Sequence, residues 1–374
     1  MDFHLFPEVS VSPSVSDRDH VHVLSLLTLG HHPDPSTTIH PVAFVAGLNP
    51  AQRKELLETA ESHHVVIRAF SRLQQDAALA GQPEVVTWAG EVITRERERI
   101  DHALPHLEMV CEALNSSGCP TTVIKSLDHW PDLGSDLDLY TTAPERNVVR
   151  VMRTKLKAQV EPRSWGDRLA QKWNFKIPDL PESVEVHCQR LGQTGEHTAL
   201  AQRFVSRRVF KTITGQSFPV PAPEERIIVA TLQRMYRHFY FRLSDILNTV
   251  ALLDAGSVDF DELRIAAELG GIWPGVATYL RLVCDYVARY RGVCPELPRE
   301  VQEAALFGGS ELTVRDCFIR VPVIPYGAKL YTRQVTRTAL RGDVPATFRL
   351  SLLPPLASVA ALAYKITGSD KGIW

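Results

Sequence analysis

The chain has 374 residues, of which 44% are hydrophobic and 22% are charged. This ordinary globular composition excludes disorder, collagen and coiled coil as descriptions of the whole chain, and a length prior of about 150 residues per domain predicts two or three domains. Its 41 Lys and Arg against 43 Asp and Glu give a net charge of -2, so any binding to nucleic acid or to an anionic membrane has to come from local patches.

The cysteines and the apolar segments bear on the cellular compartment. No two of the six cysteines form a C-x-x-C pair, so we expect reduced and mostly buried thiols. The opening MDFHLFPEVS has neither a basic region nor a long apolar run, which predicts no signal peptide. The late apolar stretch 350–364 contains Pro354 and Pro355, and we expect it to be too short and too broken to span a bilayer. These features predict a cytoplasmic protein without a transmembrane segment.

Residues 1–118 are predicted to form an extended segment followed by a helical region. A brief alternation of apolar residues after His20, with Pro, His, Ser and Thr clusters around it, predicts extended chain over 1–45. Asn49 suits a helix N-cap and Pro50 the first helical position, so helical structure is expected to begin there. Breaks are expected at residues 81–83 and at Gly90, and turn chemistry at 115–118 ends the region.

The texture changes at residue 119, where short β-branched and alternating runs begin. We call residues 119–220 the α/β unit. It is predicted to contain strands at 120–125 and 136–140, a helix at 144–157, and extended runs at 158–163, 172–177 and 183–190. This order predicts an α/β unit of about a hundred residues.

Prolines at 219, 221 and 223 predict a linker into a mainly helical region, 221–374. A long helix is expected from about Pro223 to Leu253, because apolar residues recur there at spacings of three and four. Further helices are expected over 260–310, and a mixed tail over 320–374.

The sequence contains no G-x-G-x-x-G, P-loop, H-E-x-x-H or G-x-S-x-G motif, and its most informative segment carries paired carboxylates. Asp136 and Asp138 share one face of a predicted strand, because residues i and i+2 point the same way. Neighbouring carboxylates repel unless a cation lies between them, and Mg²⁺ prefers one or two carboxylates together with phosphates. Gly134 and Ser135 allow the chain to bend closely just before the pair. Taken alone, however, Asp-x-Asp is more often a solvated strand edge or turn.

A third carboxylate lies on another predicted strand. In the run Val184 to Gln189, Glu185 and His187 face opposite to Val184 and Val186. If this strand lies beside that of Asp136 and Asp138, Glu185 completes a triad able to hold two metal ions. Such sites assist in-line displacement at phosphorus.

These segments together resemble the uncharacterised nucleotidyltransferase family of the polymerase-β-like superfamily, over roughly residues 120–255. The matching runs are Val123-Ile-Lys125-Ser126, Ser135-Asp136-Leu-Asp138-Leu139, Val184-Glu185-Val-His187 and Pro223-Glu-Glu225. The resemblance implies an α+β fold, with a small mixed-sheet core flanked by mainly helical N-terminal and C-terminal regions. It also implies Asp136, Asp138 and Glu185 as catalytic ligands of Mg²⁺ or Mn²⁺, and the Lys125–Ser126 turn, with Gly134 and Ser135, as the cradle of the nucleotide phosphates.

The sequence departs from the family pattern around this turn. Ser126 stands where the family usually has Gly, and Leu133–Gly134 occupies the place of a common Arg. The stretch from Lys125 to Asp136 is short and contains Pro131, so the usual short helix is expected to be missing.

Two interpretations are open for a polar stripe on the predicted long helix, formed by Arg234, His238, Arg242 and Asp245. It is either a solvated flank with internal ion pairs or the border of the cleft. In the second case Arg234 and His238 would contact the triphosphate or the acceptor.

The tail from 321 to 374 has seven basic and two acidic residues beside the apolar run 350–364. It is either a packed C-terminal segment with basic edges or a surface for peripheral contact with an anionic membrane.

The favoured function is transfer of an NMP from an NTP to an acceptor hydroxyl or phosphate, with release of pyrophosphate. Nucleic acid is one conceivable acceptor, although the net charge does not indicate it. The alternatives are a non-catalytic nucleotide-binding or scaffold protein with the same fold, and a toxin-like transferase that modifies tRNA or protein.

Overall fold

The computed structural model describes residues 16–30, 39–369 and 372–373. Most of the predicted extended segment before residue 16, and its part at 31–38, lie outside the described residues, as do Asp370 and Lys371 of the basic tail. Within the described chain a small mixed sheet is flanked by helices on both sides in sequence, which confirms the predicted α+β class.

The N-terminal region is helical throughout its described part. Its helices are α1 (Asp17–Leu29), α2 (Pro41–Ala46), α3 (Pro50–Ser62), α4 (Val66–Leu79) and α5 (Pro83–Asn115). The prediction of extended chain after His20 is wrong. Ser16 and Asp19 form a capping box that starts α1, and α1 is buried around most of its circumference against α4 and a later helix, so the short alternation carried no information on strand structure.

The start of α3 confirms the predicted cap, since the Asn49 side chain accepts from the backbone N–H of Gln52. The predicted break at 81–83 is also present, but Gly90 does not interrupt α5. There α5 packs closely on α4, and a Cβ at position 90 would lie 2.7 Å from Nε2 of Gln74. Gly90 therefore allows α4 and α5 to pack closely.

The central sheet has the strand order β1-β2-β5-β4-β3. Its elements are β1 (Thr121–Val123), β2 (Asp136–Thr141), α6 (Glu145–Lys155), β3 (Gln159–Val160), α7 (Trp165–Leu169), β4 (Lys172–Lys176) and β5 (Ser183–Cys188). Strands β2 and β5 are parallel, and all other neighbours in this sheet are antiparallel. Every strand predicted from the sequence in this unit is present.

The chain then forms α8 (Thr198–Ser206) and a hairpin of β6 (Val209–Ile213) and β7 (Gln216–Val220). The predicted proline linker is wrong in its first part, because Pro219 lies in β7 opposite Phe210. Pro223 opens the next helix, α9 (Pro223–Thr231), in its first turn as predicted.

The predicted long helix from Pro223 to Leu253 is interrupted. After α9 the chain makes a π-helical turn (Leu232–Arg237) and a short strand, β8 (Tyr240–Phe241), before α10 (Leu243–Asp254) begins. Phe239 has a φ of +55°, and its carbonyl accepts from the N–H of Val321 at 2.8 Å. Pairing with this distant segment outweighs the local helical periodicity.

The remaining helices and strands are α11 (Phe260–Leu269), α12 (Trp273–Arg291), α13 (Arg299–Ala304), β9 (Thr313–Arg315), β10 (Phe318–Arg320), α14 (Ala328–Leu340), α15 (Val344–Ser351) and α16 (Leu353–Thr367). Strand β10 pairs with both β8 and β9. The helices expected over 260–310 are therefore present, and the tail is mostly helical.

Pro354 and Pro355 do not break the apolar tail as expected. They stand in the first turn of α16, where proline is tolerated. In the described chain, Val344–Thr367 is a helical stretch of 24 residues that is long and apolar enough to cross a membrane, judged by length and composition alone.

One large buried apolar cluster includes residues from the N-terminal helices, the central sheet and α9 to α12. The candidate site therefore rests on a shared core. The boundaries at 118 and 220 remain predictions.

Candidate functional site

The two predicted carboxylate strands are neighbours in the sheet. In the parallel pair β2 and β5, Asp138 is the register partner of Glu185, so both side chains leave the same face. Asp136 lies two residues earlier on that face, and all three carboxylates line one cavity of about 170 Å³. The predicted convergence of Asp136, Asp138 and Glu185 is therefore present, while their roles as metal ligands remain predictions.

His187 joins this cluster, although it was not predicted as a site residue. Ligand atoms of Asp138, Glu185 and His187 all lie within 4.8 Å of one another. Nε2 of His187 is 2.7 Å from Oε1 of Glu185, and its buried Nδ1 has no hydrogen-bond partner among the described residues. The signal was in the sequence, since His187 shares the strand face of Glu185.

Two lysines neutralise the carboxylates. The ammonium of Lys125 pairs with Asp138 and lies 3.7 Å from Oε1 of Glu185. Lys172, on β4, lies 2.9 Å from Oε2 of Glu185 and 3.0 Å from Oδ1 of Asp167. Lys125 has a φ of +64°, and this backbone conformation accompanies a side chain directed at the carboxylates. The predicted cradle residue thus occupies a position between two predicted metal ligands.

Burial and charge shift the acidities of these groups in opposite directions. Burial raises the pKa of Asp138, and Glu185 adds to the rise while Lys125 opposes it. Burial also acts to raise the pKa of Glu185, but Lys125, His187 and Lys172 hold that pKa well below its usual range. Burial and Glu185 raise the pKa of Asp136. Glu185 is therefore the firmly ionised member of the three.

The donor set fits a divalent cation. Carboxylate oxygens are the ligands that Mg²⁺ and Mn²⁺ prefer, and imidazole suits zinc, copper, iron and nickel ions. The mutual proximity of ligand atoms from Asp138, Glu185 and His187 is the feature that suits a cation. The cluster can hold a divalent cation, and the geometry does not select which one.

Ser126 lines the cavity beside Lys125, and its role in binding phosphate remains a prediction. It is buried, its hydroxyl donates to the carbonyl of Asp136 at 3.0 Å, and it accepts from the N–H of Asp138 at 2.8 Å. The residue ties its turn to β2. The turn itself is a short 3₁₀ helix (Ser126–His129), so the expectation that no short helix follows Lys125 is wrong.

The loop before β2 is held by an arginine from α5. Gly134 and Ser135 line the cavity as expected. Arg99 donates to the carbonyls of Leu133 at 3.1 Å and Gly134 at 3.4 Å, and it is ion-paired with Glu182 at 2.7 Å. An arginine from a distant helix thus supports the loop, and nothing in the local sequence pointed to it.

Part of the cavity lining is basic, and we call this part the basic wall. It is formed where the predicted long helix is interrupted, by the side chains of Arg234, Arg237, His238 and Arg242. The lining of the cavity by Arg234 and His238 agrees with the cleft interpretation. Arg234 makes an internal ion pair, as the other interpretation expected, but it is not solvated. That residue is 3% exposed and its guanidinium pairs with Asp245 at 2.6 Å.

Burial and the neighbouring positive charges lower the pKa of His238. These charges are those of Arg237, Arg234, Arg242 and Lys125. The imidazole is therefore neutral. A polyanion next to the acidic cluster would meet the fixed guanidinium charges directly.

Two histidines from outside the predicted site complete the cavity. The rings of His64 and His129 stack with centroids 4.9 Å apart, and Nδ2 of Asn248 lies 2.9 Å from Nδ1 of His129. Burial holds the pKa of both histidines well below the usual range. His64 belongs to the N-terminal helical region, and its sequence context gave no signal for a role at the site.

Comparisons with known proteins add little to this geometry. No protein-family model matches the sequence, and a search of curated proteins finds no significant match. Among solved structures, the chain is similar to an antigenic nucleotidyltransferase-like protein from Paracoccidioides brasiliensis at 16% identity, over 48% of this chain and 92% of that chain, with a TM-score of 0.31. At that TM-score the likeness is too weak to carry an argument about function.

Proposed function

We propose that this protein is a divalent-metal-dependent nucleotidyltransferase that moves an NMP from an NTP to an acceptor hydroxyl or phosphate. One observation carries the proposal. A single cavity is lined both by the carboxylates of Asp136, Asp138 and Glu185 and by the arginines of the basic wall. The carboxylates suit metal ions, and the arginines suit the phosphates that those ions would accompany.

In the reaction, the acceptor oxygen attacks the α-phosphorus of the NTP and the bond to the bridging oxygen of the β-phosphate breaks. Pyrophosphate leaves, and the acceptor proton passes to a base or to water. Asp136, Asp138 and Glu185 would hold the divalent cations, with His187 as an additional donor. When bound, such ions stabilise the attacking and leaving oxygens.

The protein's own side chains have separate tasks in this proposal. Glu185 stays ionised because Lys172 and His187 contact both of its oxygens, and it would orient the acceptor hydroxyl. Lys125 neutralises the carboxylates when no cation is bound and would turn to a phosphate when one is. Arg237 and Arg242, which line the same cavity, would bind the triphosphate.

The direct test is transfer of label. Each of the common NTPs, labelled at the α-phosphate, is incubated with the protein, Mg²⁺ or Mn²⁺ and a cell extract as the source of acceptor. We expect metal-dependent transfer from at least one NTP, its loss in Asp138→Asn, and its retention in the matched control Asp101→Asn, an exposed position on α5. Failure of every NTP to bind in calorimetry with either metal would contradict the proposal.

A second candidate is a non-catalytic nucleotide-binding protein, and one observation favours it. Lys125 and Lys172 already pair with Asp138 and Glu185, so these two carboxylates have cationic partners without a metal ion. In that case NTP binding should be unchanged by EDTA and no label should be transferred. For the enzyme, EDTA should weaken NTP binding and label should be transferred.

A further inference from the structure

The C-terminal helices expose an apolar surface. We call it the C-terminal apolar surface and define it by Val344, Phe348, Val359, Leu362 and Ile366, which are 72%, 66%, 53%, 59% and 74% exposed. On α16, Val359, Leu362 and Ile366 follow one another at spacings of three and four, so they share one helix face. Among the described residues, nothing covers them.

The contrast with α12 shows how unusual this exposure is within the same protein. Helix α12 has 19 residues, of which 14 are buried. Helix α16 has 15 residues, of which only Ala360 is buried. A large exposed apolar patch on an otherwise well-packed protein marks an interaction site.

Positive charge is concentrated in the same segment of the chain. Between residues 321 and 369 there are six basic residues and one acidic residue, Asp343, in a chain whose total charge is -2. Four of the basic residues recur at every fourth position along and just beyond α14, at Lys329, Arg333, Arg337 and Arg341. Recurrence at i, i+4 places them along one side of that helix.

We propose that α14 to α16 form a docking surface for an anionic membrane. The C-terminal apolar surface would enter the boundary between headgroups and acyl chains, while the basic residues of α14 would lie near the lipid phosphates. Charge complementarity selects this occupant, because an apolar patch beside a net charge of +5 fits an anionic lipid surface better than a second copy carrying the same charge.

The geometry favours peripheral docking over a transmembrane span. Leu350 of α15 is buried, its carbonyl accepts from the Tyr331 hydroxyl at 2.6 Å, and Arg349 donates to the carbonyls of Leu169 and Thr194. Helix α15 is therefore fastened to the body of the protein. Helix α16 alone is roughly 22 Å long, short of the about 30 Å hydrocarbon core.

The test is sedimentation of the full chain with sucrose-loaded vesicles of phosphatidylcholine alone or with about 30% phosphatidylserine. We expect binding to the anionic vesicles only, and weaker binding when the salt concentration is raised from about 0.1 to about 0.5 M. The variant Leu362→Glu/Ile366→Glu should lose at least about tenfold in affinity, because two apolar contacts are replaced by charges. The matched control, Leu79→Glu, changes a residue that is 89% exposed on α4 and should bind as the unaltered protein does.

Two results would overturn the docking surface. One is the absence of binding to anionic vesicles by the folded protein. The other is a dimer in analytical ultracentrifugation without lipid that Leu362→Glu/Ile366→Glu converts to a monomer, since a second copy would then cover the surface. Circular dichroism of each variant verifies folding. The outcome does not depend on catalysis and leaves the proposed transferase activity untouched.

Discussion

Lys125 and Asp138 form an ion pair at the place where the proposed reaction requires a divalent cation. Lys125 follows β1 and Asp138 lies in β2. Ser126, in the turn between them, is hydrogen-bonded to the backbone of β2. Lysine and metal therefore compete for the same carboxylate. The exchange of one cation for the other would couple metal binding to the release of Lys125 toward the nucleotide.

Replacement of Lys125 should change the affinities for metal and for nucleotide in opposite directions. In Lys125→Met, the affinity for Mn²⁺ without nucleotide should rise, because the competing ammonium is gone, while the affinity for NTP should fall by about tenfold or more through loss of a charged contact. Electron paramagnetic resonance of free Mn²⁺ and calorimetry with a non-hydrolysable NTP measure the two affinities. Lys176→Met, an exposed lysine on β4 paired with Glu161, is the control. Unchanged Mn²⁺ affinity would show that Lys125 does not compete.

Neutralising the carboxylate itself should spare the fold. Asp138→Asn removes one of three neighbouring negative charges, and Lys125 keeps Glu185 as a partner. We expect the Tm to change by no more than about 3 °C. Substitutions outside the ligand shell typically lower metal affinity by about 10–100-fold. Asp138→Asn would remove a ligand, so it should lower the Mn²⁺ affinity by more than that. A variant that unfolds at room temperature would instead identify Asp138 as a structural residue.

The arginines of the basic wall should divide into two classes. Arg234 is buried against Asp245, so Arg234→Ala leaves a buried carboxylate without its guanidinium and should cost about 3–5 kcal/mol of unfolding free energy. Arg237→Ala should leave stability nearly unchanged and weaken NTP binding by about ten- to a hundredfold. Denaturant unfolding and NTP titration distinguish them.

The controls for this pair are specific. Arg234→Ala/Asp245→Ala should recover part of the lost stability, because the unpaired charge is removed as well. Arg72→Ala, in an exposed pair with Asp76, should change neither quantity. Full NTP affinity in Arg237→Ala would remove Arg237 from the phosphate site.

Acid should destabilise the protein through His63. The N–H of Leu243 donates to Nδ1 of His63, and Nε2 lies 2.6 Å from the carbonyl of Cys317, so both ring nitrogens are committed in the neutral form. Burial lowers the pKa of His63 to about 4 from 6.5. The unfolded chain therefore binds the proton more readily, and stability falls as pH decreases from 6.5 toward 4, by about 3 kcal/mol at most.

The measurement is the free energy of unfolding by denaturant between about pH 7.5 and about pH 5, a range that includes the ordinary pKa of histidine. His63→Gln should be less stable at pH 7.5 and should show a shallower pH dependence. The other buried histidines whose pKa is also lowered act in the same direction, so a slope remains: His20, His64, His129, His187 and His197. An identical slope in the variant would exclude His63 as a contributor.

The parts of the site that sequence could predict are those set by local periodicity. The period of two along a strand placed Asp136 with Asp138 and Glu185 with His187, and these faces are as expected. Periodicity failed at Phe239, where pairing with residues about 80 positions later interrupts a helix that the local pattern favours. That interruption is also what builds the basic wall.

Other contributions come from residues distant in sequence. Arg99 and His64 reach the site from the N-terminal helices, and no spacing within their own segments distinguishes them from surface residues. The short alternation after His20 likewise could not reveal a helix buried on most sides, because burial by several partners erases the amphipathic signal.

The proposed role of the carboxylates is tested most directly by anomalous diffraction from crystals soaked with Mn²⁺ and a non-hydrolysable NTP. We predict a Mn²⁺ peak in contact with Asp138 and Glu185, with the ammonium of Lys125 displaced from Asp138 and the triphosphate against Arg237. Nucleotide bound in the cavity without any Mn²⁺ peak, and with Lys125 still paired to Asp138, would contradict the metal-dependent transferase and favour the non-catalytic nucleotide-binding protein.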